Sequence, residues 1–270
     1  MNDLRLKDIY TYPVKSLGGV RLQEGRVLKK GLEFDRRWML VDDRGRFMSQ
    51  RKHSRMALLQ TEITDNGIDV YSKTDPSNRV TIPLEPSSKN TREVVIWDDR
   101  VDAQRVSQKL SQWFSEQLDV TCDLVFMPHS TRRLLKPKYQ VNEESVSFAD
   151  AMPYLLISQK SLDDLNSRLN KPIPMERFRP NIVVAGGAPF QEDNWNEISI
   201  GSARFKITKS CARCVVTTID QQSGHKAKEP LKTLASYRKV EGDVYFGQNM
   251  LLLEGGNIQV GDTVSLIPGV

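Results

Sequence analysis

Cysteine is scarce in this chain, three in 270 residues. That is too few for a disulfide scaffold, so stability has to come from burial, and a reducing compartment is expected. Histidine is equally rare, with His53, His129 and His225 scattered. No second C-x-x-C and no H-x-x-H accompanies the cysteines, which argues against a zinc site of four nitrogen or sulfur ligands. Aromatics are only 7% of residues, and no strand mixes them with basic residues in the manner of a nucleic-acid platform. Long apolar runs are also missing. Leu124–Met127 and Met250–Leu253 fall far short of the ~20 residues a bilayer span needs. The opening Met1–Asp8 alternates charged and apolar residues without a leader-like apolar core. These absences lead to the expectation of a cytoplasmic protein with no membrane partner.

What is present is an ordinary globular composition, 39% hydrophobic and 27% charged. Its length suits two domain-sized units on a prior of ~150 residues each. Lys+Arg 39 against Asp+Glu 34 gives +5 at pH 7. This excess suits an anionic ligand and is weaker than the stripe of a dedicated nucleic-acid binder.

Strand-like segments joined by tight turns dominate the first half. They include Ile9–Val14, Val20–Leu22, Arg37–Val41 with a return at Arg46–Met48, and a hairpin of Leu58–Ile63 and Ile68–Tyr71 around Asp65-Asn66-Gly67. Ala103–Leu118 carries Val106, Leu110, Phe114 and Leu118 near helical spacing and predicts an amphipathic helix, with a strand at Cys122–Met127 after it. Residues 129–149 lack periodicity and read as a crossing loop of the kind that carries function. The second half predicts strands at Tyr154–Ile157, Asn181–Ala185, Glu197–Ile200, Ala203–Ile207 and Val215–Ile219. Helices are expected after Ser158 and at Pro230–Tyr237, and short strands in the tail at Leu251–Leu253, Ile258–Val260 and Thr263–Ile267. The expected fold class is mainly β with segregated helices (α+β), with barrel geometry the usual outcome of many short strands.

The sharpest local feature is Cys211-Ala212-Arg213-Cys214. A thioredoxin-like dithiol wants its cysteines at a helix N-terminus, whereas the β-branched run Val215–Ile219 follows here. Two readings stay open on spacing alone. One is a single thiolate for a soft, redox-active centre, with Lys209 and Arg213 favouring its ionised form. The other is a pair of buried cysteines acting as small hydrophobes. Basic residues also recur at turns and strand ends: Lys15-Ser16 before Gly18-Gly19, Arg36 in Asp35-Arg36-Arg37-Trp38, and Arg179 with Asn181 in Phe178-Arg179-Pro180-Asn181. Lys15-Ser16 and the glycine pair offer an ammonium, a hydroxyl and open backbone N–H groups suited to a phosphate. Neither a Walker A loop nor G-x-G-x-x-G, G-x-S-x-G or H-E-x-x-H is present.

These segments, in this order, are similar to those of MOSC-domain proteins. So are Tyr12-Pro13-Val14-Lys15-Ser16, Lys228-Glu229-Pro230-Leu231 and Phe246-Gly247-Gln248. The resemblance spans nearly the whole chain and is to the branch that holds YcbX-like proteins and the mitochondrial amidoxime-reducing component. It implies an N-terminal MOSC β-barrel-like domain over roughly residues 1–128 and a MOSC domain over 129–270, with a boundary loop at roughly 129–150. It also implies a molybdenum cofactor, in the molybdopterin form rather than a nucleotide-extended one. Cys214 would be the metal ligand, and Lys15, Ser16, Arg36, Arg179, Asn181 and Arg213 would hold the cofactor's phosphate and pterin. Arg213 would also serve catalysis from beside the metal, and Cys211 would be a neighbour of the site. The implied reaction is two-electron reduction of N-hydroxylated compounds (hydroxylaminopurines, hydroxylamines, amidoximes) to amines or amidines. A carrier of cofactor or sulfur is the alternative. Ala212 stands where mitochondrial relatives have serine. No cysteine follows Cys214, so no iron–sulfur cluster is expected in this chain. Electrons would come from a separate flavoprotein reductase or ferredoxin, or from a module outside this sequence.

Overall fold

The computed structural model describes residues 3–268. Among these residues strands dominate, with three short α-helices at Gln108–Leu118, Gln159–Ser167 and Leu231–Ala235. The largest sheet has nine strands. Its order is Val264–Ile267, Glu197–Ile200, Ala203–Ala212, Asp243–Glu254, Tyr154–Ser158, Ile182–Ala185, Arg5–Thr11 and Val20–Leu22, with Lys239–Val240 on a side branch. Two of these strands come from the start of the chain. Arg5–Thr11 runs antiparallel to Ile182–Ala185, pairing Arg5 with Ala185 and Ile9 with Ile182.

Alternation decides what each strand buries. Leu6, Ile9, Leu156, Ile182, Phe205 and Met250 point from successive strands into one core, as a curled sheet requires. On the opposite face Tyr10, Tyr12, Ile157 and Val183 pack under the helix Gln159–Ser167, through Leu162 and Leu165. Ser158 caps that helix by accepting from the Lys160 amide at 3.2 Å. The helix connects two parallel neighbours, Tyr154–Ser158 and Ile182–Ala185, which need such a crossover. Three smaller sheets complete the molecule. One joins Trp38–Val41, Asp123–Phe126, Asp99–Arg105 and Thr91–Ile96, and another is the meander Leu59–Thr64, Gly67–Ser72, Asp75–Ile82. In the third, Glu24–Leu28 pairs with Gly256–Gln259 from the far end of the chain. Among the described residues no helix is long and apolar enough to cross a membrane.

Three expectations are corrected. The helix predicted from Ala103 begins at Gln108, because Val101 and Ala103 are buried with a period of two and finish the strand Asp99–Arg105. Ser107 then caps the helix, accepting from the Leu110 amide at 3.4 Å. The strand predicted at Val215–Ile219 is a 3₁₀ turn over Val215–Thr218. There Thr217 donates to the Cys214 carbonyl at 3.1 Å and Thr218 to the Val215 carbonyl at 2.8 Å, so hydroxyls take the acceptors that a sheet would have used. Lastly, Arg46–Met48 forms an isolated bridge between Val41 and Phe47 rather than a strand.

Candidate functional site

A cleft of about 760 Å³ opens where the first turn of the chain, the Phe178–Asn181 segment and the end of the strand Ala203–Ala212 converge. All seven site residues expected from the sequence line it: Lys15, Ser16, Arg36, Arg179, Asn181, Arg213 and Cys214. Its walls carry seven Lys and Arg side chains against three Asp. The difference of four nearly equals the +5 of the entire chain, so the basic excess is concentrated here.

The backbone at three of these positions is unusual. Ser16 (φ 69°), Arg36 (φ 49°) and Arg179 (φ 55°) all adopt the left-handed region that L residues avoid. Such strain persists where surrounding contacts over-determine it, and it gathers at ligand sites. The contacts here centre on Asp35, whose buried carboxylate accepts from Arg36 Nη1 at 2.6 Å, the Tyr12 amide at 2.9 Å and Asn181 Nδ2 at 3.1 Å. Asn181 also donates to the Tyr10 carbonyl and accepts from the Leu155 amide. Its Oδ1 also accepts from Arg36 Nη1 at 3.2 Å, so Asn181 ties the strands Arg5–Thr11 and Tyr154–Ser158 to the Arg36 guanidinium.

Lys15 is 4% exposed and donates to Asp150 Oδ1 at 2.6 Å and to the Phe148 carbonyl at 2.7 Å. Burial pulls its ammonium down to about 8; Asp150 opposes that shift, while Arg133 and Arg36 add to it. Arg179 is brought down to about 10 by burial, so it stays charged at neutral pH. The glycine pair behaves differently from expectation. Gly18 N–H is spent on the Leu59 carbonyl at 2.8 Å and is not open to a ligand.

Cys214 is free and exposed, and Cys211 is free and partly exposed. The reading of both as buried small hydrophobes is therefore overturned. Arg213 sends Nη1 to Cys211 Sγ at 3.0 Å and Nη2 to the Phe178 carbonyl at 2.6 Å. Lys209 stands over the Tyr139 ring at 4.0 Å. Among the described residues no group of three or more His, Cys, Asp or Glu is placed to hold a metal ion.

The donor set fits an anionic, oxygen- and nitrogen-rich cofactor. Arg51, Arg179, Lys209 and Arg213 line the cleft without a carboxylate partner among the described residues. Arg179 Nη2 and Arg213 Nε have no hydrogen-bond partner at all, and buried unpaired donors are costly unless a ligand completes them. Arg51 and Asp150 escaped sequence reasoning. Gln50-Arg51-Lys52 shows no pattern, and Asp150 stands at the end of the aperiodic crossing loop, where only its position across from Lys15 gives it meaning.

The MOSC domain model matches residues 143–265, and the MOSC N-terminal beta barrel domain model matches residues 3–121. The molybdenum cofactor sulfurase of Oryza sativa subsp. japonica is 33% identical over 98% of this chain. This chain spans only 34% of that protein. The mitochondrial amidoxime-reducing component 1 of Mus musculus is 32% identical, over 96% of this chain and 81% of that protein. Its counterpart in Homo sapiens is 31% identical, over 96% and 82%.

Proposed function

The chain belongs to the MOSC family, and from that premise we propose that it is a molybdenum-cofactor-dependent oxidoreductase that reduces N-hydroxylated compounds to amines or amidines. One observation carries this reading: a free, exposed thiol, Cys214, opens into the cleft that gathers most of the chain's excess positive charge. A soft thiolate suits a soft, redox-active metal, and a cationic cradle suits a phosphate-bearing pterin.

The bound cofactor would supply the two-electron chemistry of molybdenum, by which R–NHOH, two electrons and two protons give R–NH2 and water. The chain's own residues bind and orient. Cys214 would hold the metal. Lys15, Ser16, Arg36, Arg179, Asn181 and Arg213 would hold the phosphate and pterin. Arg213 is proposed as the cationic neighbour of the metal centre, although its guanidinium rests on Cys211 and the Phe178 carbonyl. Electrons would come from a separate flavoprotein reductase or ferredoxin. Protein loaded in a cofactor-competent host should reduce a hydroxylaminopurine when given an artificial electron donor; failure with molybdenum present would overturn the reading.

The likeness to a molybdenum cofactor sulfurase supports a second reading, a non-catalytic carrier of cofactor or sulfur that uses the same thiol. Catalytic turnover in that assay excludes a pure carrier.

A further inference from the structure

Tyr12 has no place in the reading above, yet the geometry around it is specific. Its ring is 1% exposed, and two guanidinium groups lie over it, Arg36 at 4.3 Å and Arg179 at 4.2 Å from the ring centre. These are the two arginines that adopt left-handed backbone conformations at the cleft. Its hydroxyl has no hydrogen-bond partner, so the ring rather than the oxygen makes the contacts that matter. Gly19 lies against the same ring, and a Cβ at that position would collide with Tyr12 Cε1 and Cδ1. Gly19 does not have a positive φ, so its smallness serves the ring rather than a turn.

We infer that Tyr12 is the positioning residue for the anion-binding arginines, its ring face setting where both guanidiniums stand, with Gly19 leaving the ring the room to do so. A guanidinium over an aromatic face is held by the ring quadrupole and keeps its edge donors free for a ligand. That arrangement suits Arg179, whose Nη2 is unpartnered. A carboxylate in the ring's place would neutralise the charges and consume those donors. Arg36 is already paired with Asp35, so the ring orders both guanidiniums while leaving Arg179 its charge and a free donor toward the cleft. The inference rests on the proposed cationic cradle, but it concerns how the cradle is held.

The test uses cofactor-free protein and inorganic phosphate at constant ionic strength, reading affinity from calorimetry and from the phosphate-dependent rise in Tm. Tyr12→Phe should bind phosphate like the unaltered protein. Tyr12→Leu should lose about tenfold or more in affinity. Gly19→Ala, whose Cβ would meet the Tyr12 ring first, should lose affinity in the same direction by displacing the ring. Circular dichroism and a cooperative melt identify folded variants, and if Tyr12→Leu does not fold, Gly19→Ala decides alone. Folded Gly19→Ala with unchanged affinity would overturn the inference, as would Tyr12→Phe losing as much as Tyr12→Leu. If the unaltered protein itself ignores phosphate, the cradle is what fails, and that outcome is distinct from unchanged variants of a phosphate-binding protein.

Discussion

At the scale of single residues, the cleft is a problem of buried charge. Lys15 carries its ammonium inside the protein with Asp150 as its carboxylate, and burial sets its folded value at about 8 against an ordinary 10.5. Below pH 8 the ammonium is charged in both folded and unfolded chains, and its burial costs stability in full. Between about 8 and 10.5 the folded chain gives up the proton first, so this group's contribution to stability rises with pH across that window. Anion binding should move the other way. Sulfate, whose charge is constant in this range, should bind more weakly as pH climbs through 8, while in Lys15→Arg the decline should vanish because a guanidinium stays charged. A sulfate affinity that is flat through pH 8 in the unaltered protein would contradict this assignment.

Asp35 makes the matching case for a buried carboxylate. Its side chain is fully buried and serves Arg36, Asn181 and the Tyr12 amide at once. Removing one member of such a buried pair strands the other. Asp35→Ala should therefore cost about 3–5 kcal/mol in urea unfolding, far more than removal of the exposed pair Arg100–Glu93, worth at most ~1 kcal/mol. Comparable losses from both pairs would sink this account of Asp35.

At the scale of elements, what the sequence made legible depended on periodicity. The Leu59–Ser72 hairpin and the helix behind Ser158 have strong local signals, clean alternation or a cap with spaced leucines, and they form about where those signals fall, whereas the helix expected from Ala103 starts only at Gln108. Val215–Ile219 misled because β-branched residues prefer strands only when a ladder is available; here two threonine hydroxyls close a turn instead. The strand Asp75–Ile82 was invisible for a related reason. It is mostly exposed and begins Asp-Pro-Ser-Asn, a turn-like composition that pairing with Gly67–Ser72 overrides. The expected residues that line the cleft lie in compact motifs, and that is why the sequence could single them out. Their orientation was not legible, since Arg213 chooses Cys211 over Cys214 through contacts with Phe178 that lie 35 positions away.

One backbone element invites a direct probe. Gly247 (φ 82°) interrupts the strand Asp243–Glu254, and a Cβ there would stand 2.7 Å from Ile157 Cγ1 and 2.8 Å from the Leu156 carbonyl. Gly247→Ala should destabilise the protein by about 1–3 kcal/mol, read as a lower urea midpoint with an unchanged slope. A neutral effect would mean the neighbouring strand yields freely.

At the scale of the whole molecule, the two halves are interwoven. Arg5–Thr11 and Val20–Leu22 extend the sheet built by the second half, and Glu24–Leu28 pairs with Gly256–Gln259. A fragment holding only residues 129–270 would lose these strands and bare the core face around Ile182 and Val184. That fragment should be aggregated or lack a cooperative melt, whereas the full chain should unfold in a single transition by calorimetry. A well-folded fragment would show that the first strands only decorate the sheet.

The cleft is itself a product of this interweaving. Lys15, Ser16 and Arg36 arrive from the first forty residues, and Arg179, Arg213 and Cys214 from the last hundred. We propose that the two sets meet to hold one metal-bearing cofactor by a single protein sulfur. Metal analysis of protein produced in a cofactor-competent host tests it most directly. Molybdenum should approach one atom per chain in the unaltered protein and in Cys211→Ala, and should be lost in Cys214→Ala. Full molybdenum in folded Cys214→Ala, or none in the unaltered protein, would contradict the account.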